Sequence, residues 1–587
     1  MDGGTHFLLP FRRMPSFRSV RLALLIPFLP SLLHAQLVFN AHGVYTRADT
    51  LRGSIGPERA WWDVTHYDVH VAPDFTNHSI EGLTTISFTA VAKGQRMQID
   101  LQEPLVVDSI TESAAVYRDG AFLISEQAVH TTREGNVVWV DLPTAMKAGD
   151  VSSITVYYHG VPRAAKRPPW DGGWIWKTDE QGNPWMSVAC QGLGASVWYP
   201  CKDHQSDEPD SAALWITVPD TLQAIGNGRL REKLTESRHR TTWIWAVTNP
   251  INSYNLIPYI GKYAHFGEVY EGTQGKLDCD YWVLAANETK AREHFKQVPS
   301  MLRCFEEWFG PYPFYEDGYK LVESPHLGME HQSAVAYGNK YLNGYLGSDL
   351  SGTGRGLEWD FIIVPESGHE WFGNSITTAD IADMWVHEGF TNYSETIFTQ
   401  CQQGEEAGND YVVGCRKNIH NDIPIIGPYG VNQEGSGDMY HKSASMLHTI
   451  RHIVGDSVFK AMLLEMNKRF YHSTVTSAEV ESFFSMFCKR DLSKLFDQYL
   501  RTTQVPVLEW GVHKKKLYTR WTNCIDGFAT EVALEVGGKT LRCTPGQRWQ
   551  AEAIPVGKKA RVQIDRNWYV DVRKADKAAL IELRSIP

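Results

Sequence analysis

Cysteine is scarce in this chain: nine residues in 587, an odd number, with no pair at C-x-x-C spacing. That rules out a disulfide-stapled scaffold, speaks against a cysteine zinc site, and leaves at least one thiol unpaired within the monomer. Basic charge is short as well, with 57 Lys and Arg against 68 Asp and Glu and a net charge of −11. Nothing resembles a basic stripe, which argues against a nucleic-acid partner. Long apolar runs are missing too. The longest, LALLIPFLPSLL, is too short to span a bilayer and contains Pro27 and Pro30. No internal repeat is visible.

What remains is the composition of an ordinary globular protein, 43% hydrophobic and 21% charged, rich in aromatics with 20 Trp and 25 Tyr. The length suits roughly three or four domains. Arg12, Arg13, Arg18 and Arg21 precede the apolar run, and Ala35 follows it at a plausible cleavage point. This is the layout of a signal peptide over residues 1–35, with Met14 an alternative start. Cleavage would take away four Arg and Asp2 and leave a net charge of −14. The expectation is an exported protein, periplasmic or extracellular. No cysteine near the cleavage point suggests a lipid anchor.

Periodicity divides the rest. From about residue 60 to 250, stretches such as YDVHV and IEGLTTISFTA alternate as half-buried strands do, interrupted by a Pro/Gly/Trp-rich loop. From about 290 the period turns helical, and after VPVLEW (505–510) strands return. The expected architecture is α+β and multidomain: an N-terminal β domain over 36–255, a mostly helical domain over 256–503 and a small β sandwich over 504–587.

The chemistry concentrates in FIIVPESGHEWFGN, Phe361 to Asn374. It reads almost as H-E-x-x-H, which sets two histidines on one helical face as zinc ligands beside a glutamate general base. Glu366 and His369 are in place, and Glu388 follows in MWVHEGFTNYSE at the distance of a third ligand. The first position, however, holds Pro365. Alone, His369 and Glu388 would more often be a buried histidine and a helix-end glutamate. They are accompanied by SPHLGMEHQSAVAYG upstream, GDMYHKSASMLHTIR downstream and CQGLGASVWYPCKDHQSDEPD earlier.

Together these segments resemble the M1 (gluzincin) family of zinc aminopeptidases, from about Glu58 to the end and in the family's order. The resemblance implies a saddle-like β domain, a thermolysin-like catalytic domain, a β sandwich, one Zn2+, and peptide substrates with free N-termini. It gives Glu366 the general base, His369 and Glu388 two zinc ligands, and Tyr440 the phenol that donates to the oxyanion. Glu330 matches the carboxylate that grips the substrate's α-amino group, and Gln191 looks like its amide partner. Gly328 and Met329 match the edge strand on which a peptide backbone pairs. One branch of the family hydrolyses an epoxide at the same site; nothing here points to it.

The sequence departs from the family at two positions. His331 stands where the family usually has Asn. Pro365 occupies the first ligand position and cannot ligate. His387 offers no evident replacement, since adjacent helical residues diverge by about 100°. If Asp360 caps the helix, Pro365 is expected to fall beyond the first turn and to cost ~3 kcal/mol. If the helix begins at Pro365, the missing N–H does no harm. Two functions stay open: a metal-dependent aminopeptidase, weakened at its metal, and a catalytically inactive relative that binds peptide N-termini.

Overall fold

The computed structural model describes residues 44–586 apart from 119–120, 238 and 558–560. The expected signal peptide lies outside the described residues. The architecture is α+β: a β-rich N-terminal part, a helical middle and β-strands at the C-terminal end.

The N-terminal part is built on an eight-stranded sheet with Trp62–Asp74 near its centre. That strand pairs antiparallel with Ser79–Ala90 and parallel with Ser211–Pro219. Tyr67, Val69 and Val71 are buried while Asp68 and His70 between them are partly exposed, as period-two alternation requires. Two smaller sheets pack with it. One of them joins Gly173–Thr178 and Pro184–Ala189 to Tyr259–Gly261 and Gln223–Ile225. Through this sheet the segment leading to Gln191 is anchored before the chain turns toward the helices.

Burial in this part extends to charge. Arg59 is fully buried, with its guanidinium 2.5 Å from Asp100 and also donating to the carbonyls of Arg52 and Ser54. The short N-terminal helices are thereby tied to the strand Gly94–Asp100.

The middle part opens with a five-stranded sheet. Its last three strands are β1 (Tyr319–Glu323), β2 (Gly328–Met329) and β3 (Val335–Tyr337). Strand β3 lies between the other two, so β2 forms the edge. Below the sheet pack helices α1 (Ile363–Gly368), α2 (Trp385–Gln403) and α3 (His441–Val454). The approach of α1 to α2 is close. A Cβ on Gly368 would stand 2.6 Å from the Ser394 hydroxyl, so only glycine permits it. One disulfide, Cys304–Cys401, ties α2 to the helix Val298–Phe309. At the C-terminal end, a four-stranded and a three-stranded sheet share one hydrophobic core with the helices, and Trp568 is buried at that junction. Among the described residues, no helix is long and apolar enough to cross a membrane.

The buried ion pair gives the first prediction. Arg59→Met leaves Asp100 buried without its cation, and should destabilise the fold by about 3–5 kcal/mol in urea unfolding. A loss below about 1 kcal/mol would show that water or another group replaces the guanidinium.

Candidate active site

The site is organised by the start of α1. Asp360 accepts from the backbone N–H groups of Ile362 (2.7 Å) and Ile363 (3.1 Å), and its other oxygen accepts from the Tyr337 hydroxyl at 2.8 Å. His294 Nε2 also stands 2.7 Å from this oxygen. The helix therefore begins at Ile363, and Pro365 is its third residue. This corrects both expectations about Pro365. Ile362 is the N-cap, and Asp360 holds the two N–H groups at the approach to the helix, so the proline falls within the first turn and the one intrahelical bond it forgoes is that to the Phe361 carbonyl. The flanking bonds, Val364 N to Asp360 O and Glu366 N to Ile362 O, are both made at 3.2 Å. The backbone accommodates proline without breaking.

Helix α1 ends at once. His369 forms its C-cap, and the chain turns so that the imidazole Nδ1 lies 3.0 Å from the Phe372 carbonyl and 3.2 Å from the Thr391 hydroxyl. A proton on Nδ1 donated to that carbonyl leaves Nε2 as the free face of the ring. Nε2 stands 3.4 Å from a carboxylate oxygen of Glu388, in the first turn of α2. Donor atoms of Glu330, Glu366 and His369 lie within 4.8 Å of one another.

Glu330 is buried and clamped from two sides. Its Oε1 accepts from the Gln191 amide at 2.5 Å and from the Tyr254 hydroxyl at 2.9 Å. Asn374 holds its backbone carbonyl at 2.9 Å. Edge strand β2 passes directly over Glu366. A Cβ on Gly328 would be 3.0 Å from Glu366 Oε1 and 2.7 Å from Ile362, so the glycine is a steric necessity. Tyr440, just before α3, is 36% exposed at the mouth of the same cleft.

The structure thus brings together Glu330, Gln191, Gly328, Glu366, His369 and Glu388, with Met329 beside Gly328 on the edge. His331 is buried and turned to other work, its Nδ1 2.5 Å from the Tyr259 hydroxyl. His387 Nε2 accepts from the Thr378 backbone N–H at 2.9 Å, so it replaces no ligand. Tyr254 escaped the sequence reading. It is one tyrosine among 25, and only long-range folding sets it against Glu330.

Electrostatics follow from one imidazole among several acids. Burial opposes a charge on His369, but Glu388, Glu330 and Glu366 outweigh it and push its pKa up to about 10. Burial and the neighbouring Glu330 push Glu366 up to about 8, against the pull of His369. Partial desolvation at the cleft mouth, then the charges of Glu388 and Glu434, push the Tyr440 hydroxyl above its ordinary pKa and keep it neutral.

Comparison with known proteins now decides the family. The peptidase family M1 domain matches residues 293–499, and the peptidase M1 N-terminal domain matches residues 64–255. This chain belongs to peptidase family M1. Among M1 relatives, a puromycin-sensitive aminopeptidase of Caenorhabditis elegans is 20% identical over 468 residues, covering 76% of this chain and 47% of the relative. Endoplasmic reticulum aminopeptidase 1 of Homo sapiens is 21% identical, covering 57% of this chain and 37% of its own length. A leukotriene A-4 hydrolase of Xenopus laevis is 21% identical, covering 74% and 69%. The chain spans about half or less of the length of the first two of these relatives. The fold matches an M1 zinc metallopeptidase E323A mutant of Deinococcus radiodurans bound to Tyr-Ser-Ala, with a TM-score of 0.64 and 21% identity, covering 78% of this chain and 98% of that one.

Does the donor set fit the zinc that M1 metallopeptidases carry? His369 and Glu388 do: the ring is preset with Nε2 outward, and the carboxylate faces it. The third position does not, because Pro365 is buried there without a donor atom. Among the described residues, the site fits a divalent cation with one protein ligand too few.

Without metal, both raised groups act in the same direction on stability. Folded His369 holds its proton from the ordinary 6.5 up to about 10, so its contribution is complete below 6.5 and lost as pH rises through the higher value. Glu366 is kept neutral in the fold from 4.5 up to about 8, so folding opposes its ionisation throughout that range. Metal-free protein should therefore lose thermal stability between about pH 5 and pH 8, and Glu366→Gln should lose less of it. A parent and variant falling in parallel across that range would remove Glu366 from the account.

Proposed function

We propose that this chain is an M1-family metallopeptidase that removes N-terminal residues from peptides, with its grip on the metal weakened by Pro365. The observation that carries the reading is the convergence of a doubly clamped carboxylate, Glu330, with the donor atoms of Glu366 and His369 within 4.8 Å. This is a place for an ammonium group beside a place for hydrolysis.

Each residue has work suited to its setting. Glu330, oriented by Gln191 and Tyr254, holds the substrate's free α-amino group, since a buried ammonium needs a carboxylate partner. The two-residue edge at Gly328 and Met329 pairs with the extended substrate backbone. His369 and Glu388 would hold the zinc, which when bound supplies Lewis-acid chemistry at the scissile carbonyl and at water. Glu366 takes the proton of the attacking water and returns one to the leaving amine. Tyr440, kept neutral, can donate its hydroxyl proton to the developing oxyanion.

Losing one of three ligands weakens the hold severely. A structural zinc site in a small peptide contributes ~10–16 kcal/mol, so an equal share lost per ligand lowers affinity by roughly a thousandfold or more. A specific observation keeps a second reading in view. Pro365 supplies no donor atom at the first ligand position, while the clamp on Glu330 is complete. The second reading is a catalytically inactive relative that binds peptide N-termini through Glu330.

We propose export as well. Support comes from the charged and apolar residues ahead of Ala35 and from the Cys304–Cys401 disulfide, a bond suited to oxidising compartments.

Two experiments test the site. Pro365→His should place a second imidazole on the face of His369 and restore an N–H for the Phe361 carbonyl. Tight zinc binding by calorimetry and aminopeptidase activity roughly a hundredfold above the parent are expected. Adding Glu366→Gln should keep the zinc and lose the activity. A revertant that binds zinc tightly and hydrolyses nothing would favour the inactive reading. Separately, Glu330→Ala should erase the preference for free over acetylated peptide N-termini; a variant that discriminates as well as the parent would take Glu330 out of the role.

A further inference from the structure

Under the peptide reading, three carboxylates of the cleft have assigned work. Glu388 faces His369, Glu330 takes the amino group, and Glu366 moves a proton. Glu434 is left over. It is half-buried, and no hydrogen bond or ion pair reaches its carboxylate from any described residue.

Its position is tightly set. The loop from Ile425 to Ser436 folds back on itself, and the Ser436 N–H donates to the Pro424 carbonyl at 2.9 Å. Two glycines allow this. A Cβ on Gly435 would stand 1.9 Å from the Ile425 carbonyl oxygen, and one on Gly427 would stand 2.7 Å from the carbonyl carbon of Glu434 itself. Asn432 donates to the Gly192 carbonyl at 2.9 Å, and Gly53 packs so closely that its Cβ would meet the Asn432 nitrogen at 2.1 Å. The loop is thus fastened to the segment that carries Gln191. Glu434 Oε1 lies 3.9 Å from where a Cβ on Gly192 would be, one residue from the amide that holds Glu330.

Half-buried, fixed by its backbone and without a partner among the described residues, the carboxylate is placed to accept from a cation that enters the cleft. Burial, then the charges of Glu388 and Glu330, push its pKa up to about 7, so the surroundings already resist another negative charge. Under the same reading the metal is not its counterpart, because His369 and Glu388, which face each other, would hold it. The amino group is not either, because Glu330 is the buried, doubly oriented acceptor for that. What arrives beside the amino group is the side chain of the same residue. We propose that Glu434 selects a basic first residue, lysine or arginine, in the peptide bound by this cleft. The proposal rests on the peptide reading and adds the class of ligand. A long stem carrying a charged head suits a carboxylate displaced from the amine grip along the cleft wall.

The test uses the full chain and tripeptides that differ only in the first residue, lysine against its uncharged counterpart norleucine, each free and N-acetylated, with affinities measured by calorimetry. The parent should bind the free lysine peptide about tenfold or more tighter than the norleucine peptide, the worth of one charge-assisted bond. Glu434→Gln, nearly equal in shape, should bring that ratio close to one, and Glu434→Lys should place lysine behind norleucine. If free peptides outbind acetylated ones in the parent while lysine and norleucine bind equally, the peptide reading stands and the role of Glu434 is overturned. A glutamine variant that keeps the parent's ratio would overturn that role equally. If no free peptide outbinds its acetylated form, the peptide reading fails and takes this inference with it.

Discussion

An excess of negative charge around a single imidazole governs the centre of this molecule. Glu330, Glu366 and Glu388 converge on His369 in a space that largely excludes water, where like charges repel far more strongly than at a surface. Such a cluster persists only because the fold gives each acid a means of staying there. Glu330 receives two side-chain hydrogen bonds, Glu388 faces the imidazole, and burial favours Glu366 in its neutral form. The glycine at 328, the hold of Asp360 on the start of α1 and the close contact between α1 and α2 all serve to hold these groups against their mutual repulsion. The centre is therefore a region of stored cost, offset by packing elsewhere. Strain of this kind is common where a site is arranged to receive cations.

Substituting proline for a metal ligand leaves this frame intact, and the reason lies in the local backbone. The third residue of the helix gives up one bond, to the Phe361 carbonyl, while the bonds on either side of it are made. A proline one turn later would have met a formed ladder of bonds and kinked the helix. Under the proposed reading, the missing donor at position 365 is thus separable from any effect on the backbone. The chain has lost a donor atom while retaining the geometry that the donor served.

Much of this was legible in the sequence, and the limits are instructive. The alternation in YDVHV foretold a half-buried strand, and the structure shows Tyr67, Val69 and Val71 inward. Glu366 and His369 are three residues apart in one segment, but the expectation that Glu388 joins them rested on the resemblance to the family, and the structure sets its carboxylate 3.4 Å from His369. The starting point of α1 was not legible. It depends on Asp360 holding the N–H groups of Ile362 and Ile363 against the preference of proline for the first helical position, and both outcomes are consistent with the letters alone. Strands β1 and β3 are buried on both faces, so they carry no period that distinguishes them from helix. Tyr254 and Glu434 gain meaning only through contacts between segments far apart in the chain.

The shortness of β2 has a consequence of its own. With two residues in it, the edge can register only the opening of an extended ligand, and whatever follows lies beyond the reach of that ladder. Discrimination is then concentrated at one end of the bound chain, and the downstream sequence enters chiefly through whether it can reach the cleft unfolded. A loose tail, a digestion fragment and a short signalling peptide would present the same face. Under the proposed reading, the selectivity of the cleft is positional: it reads where a chain begins.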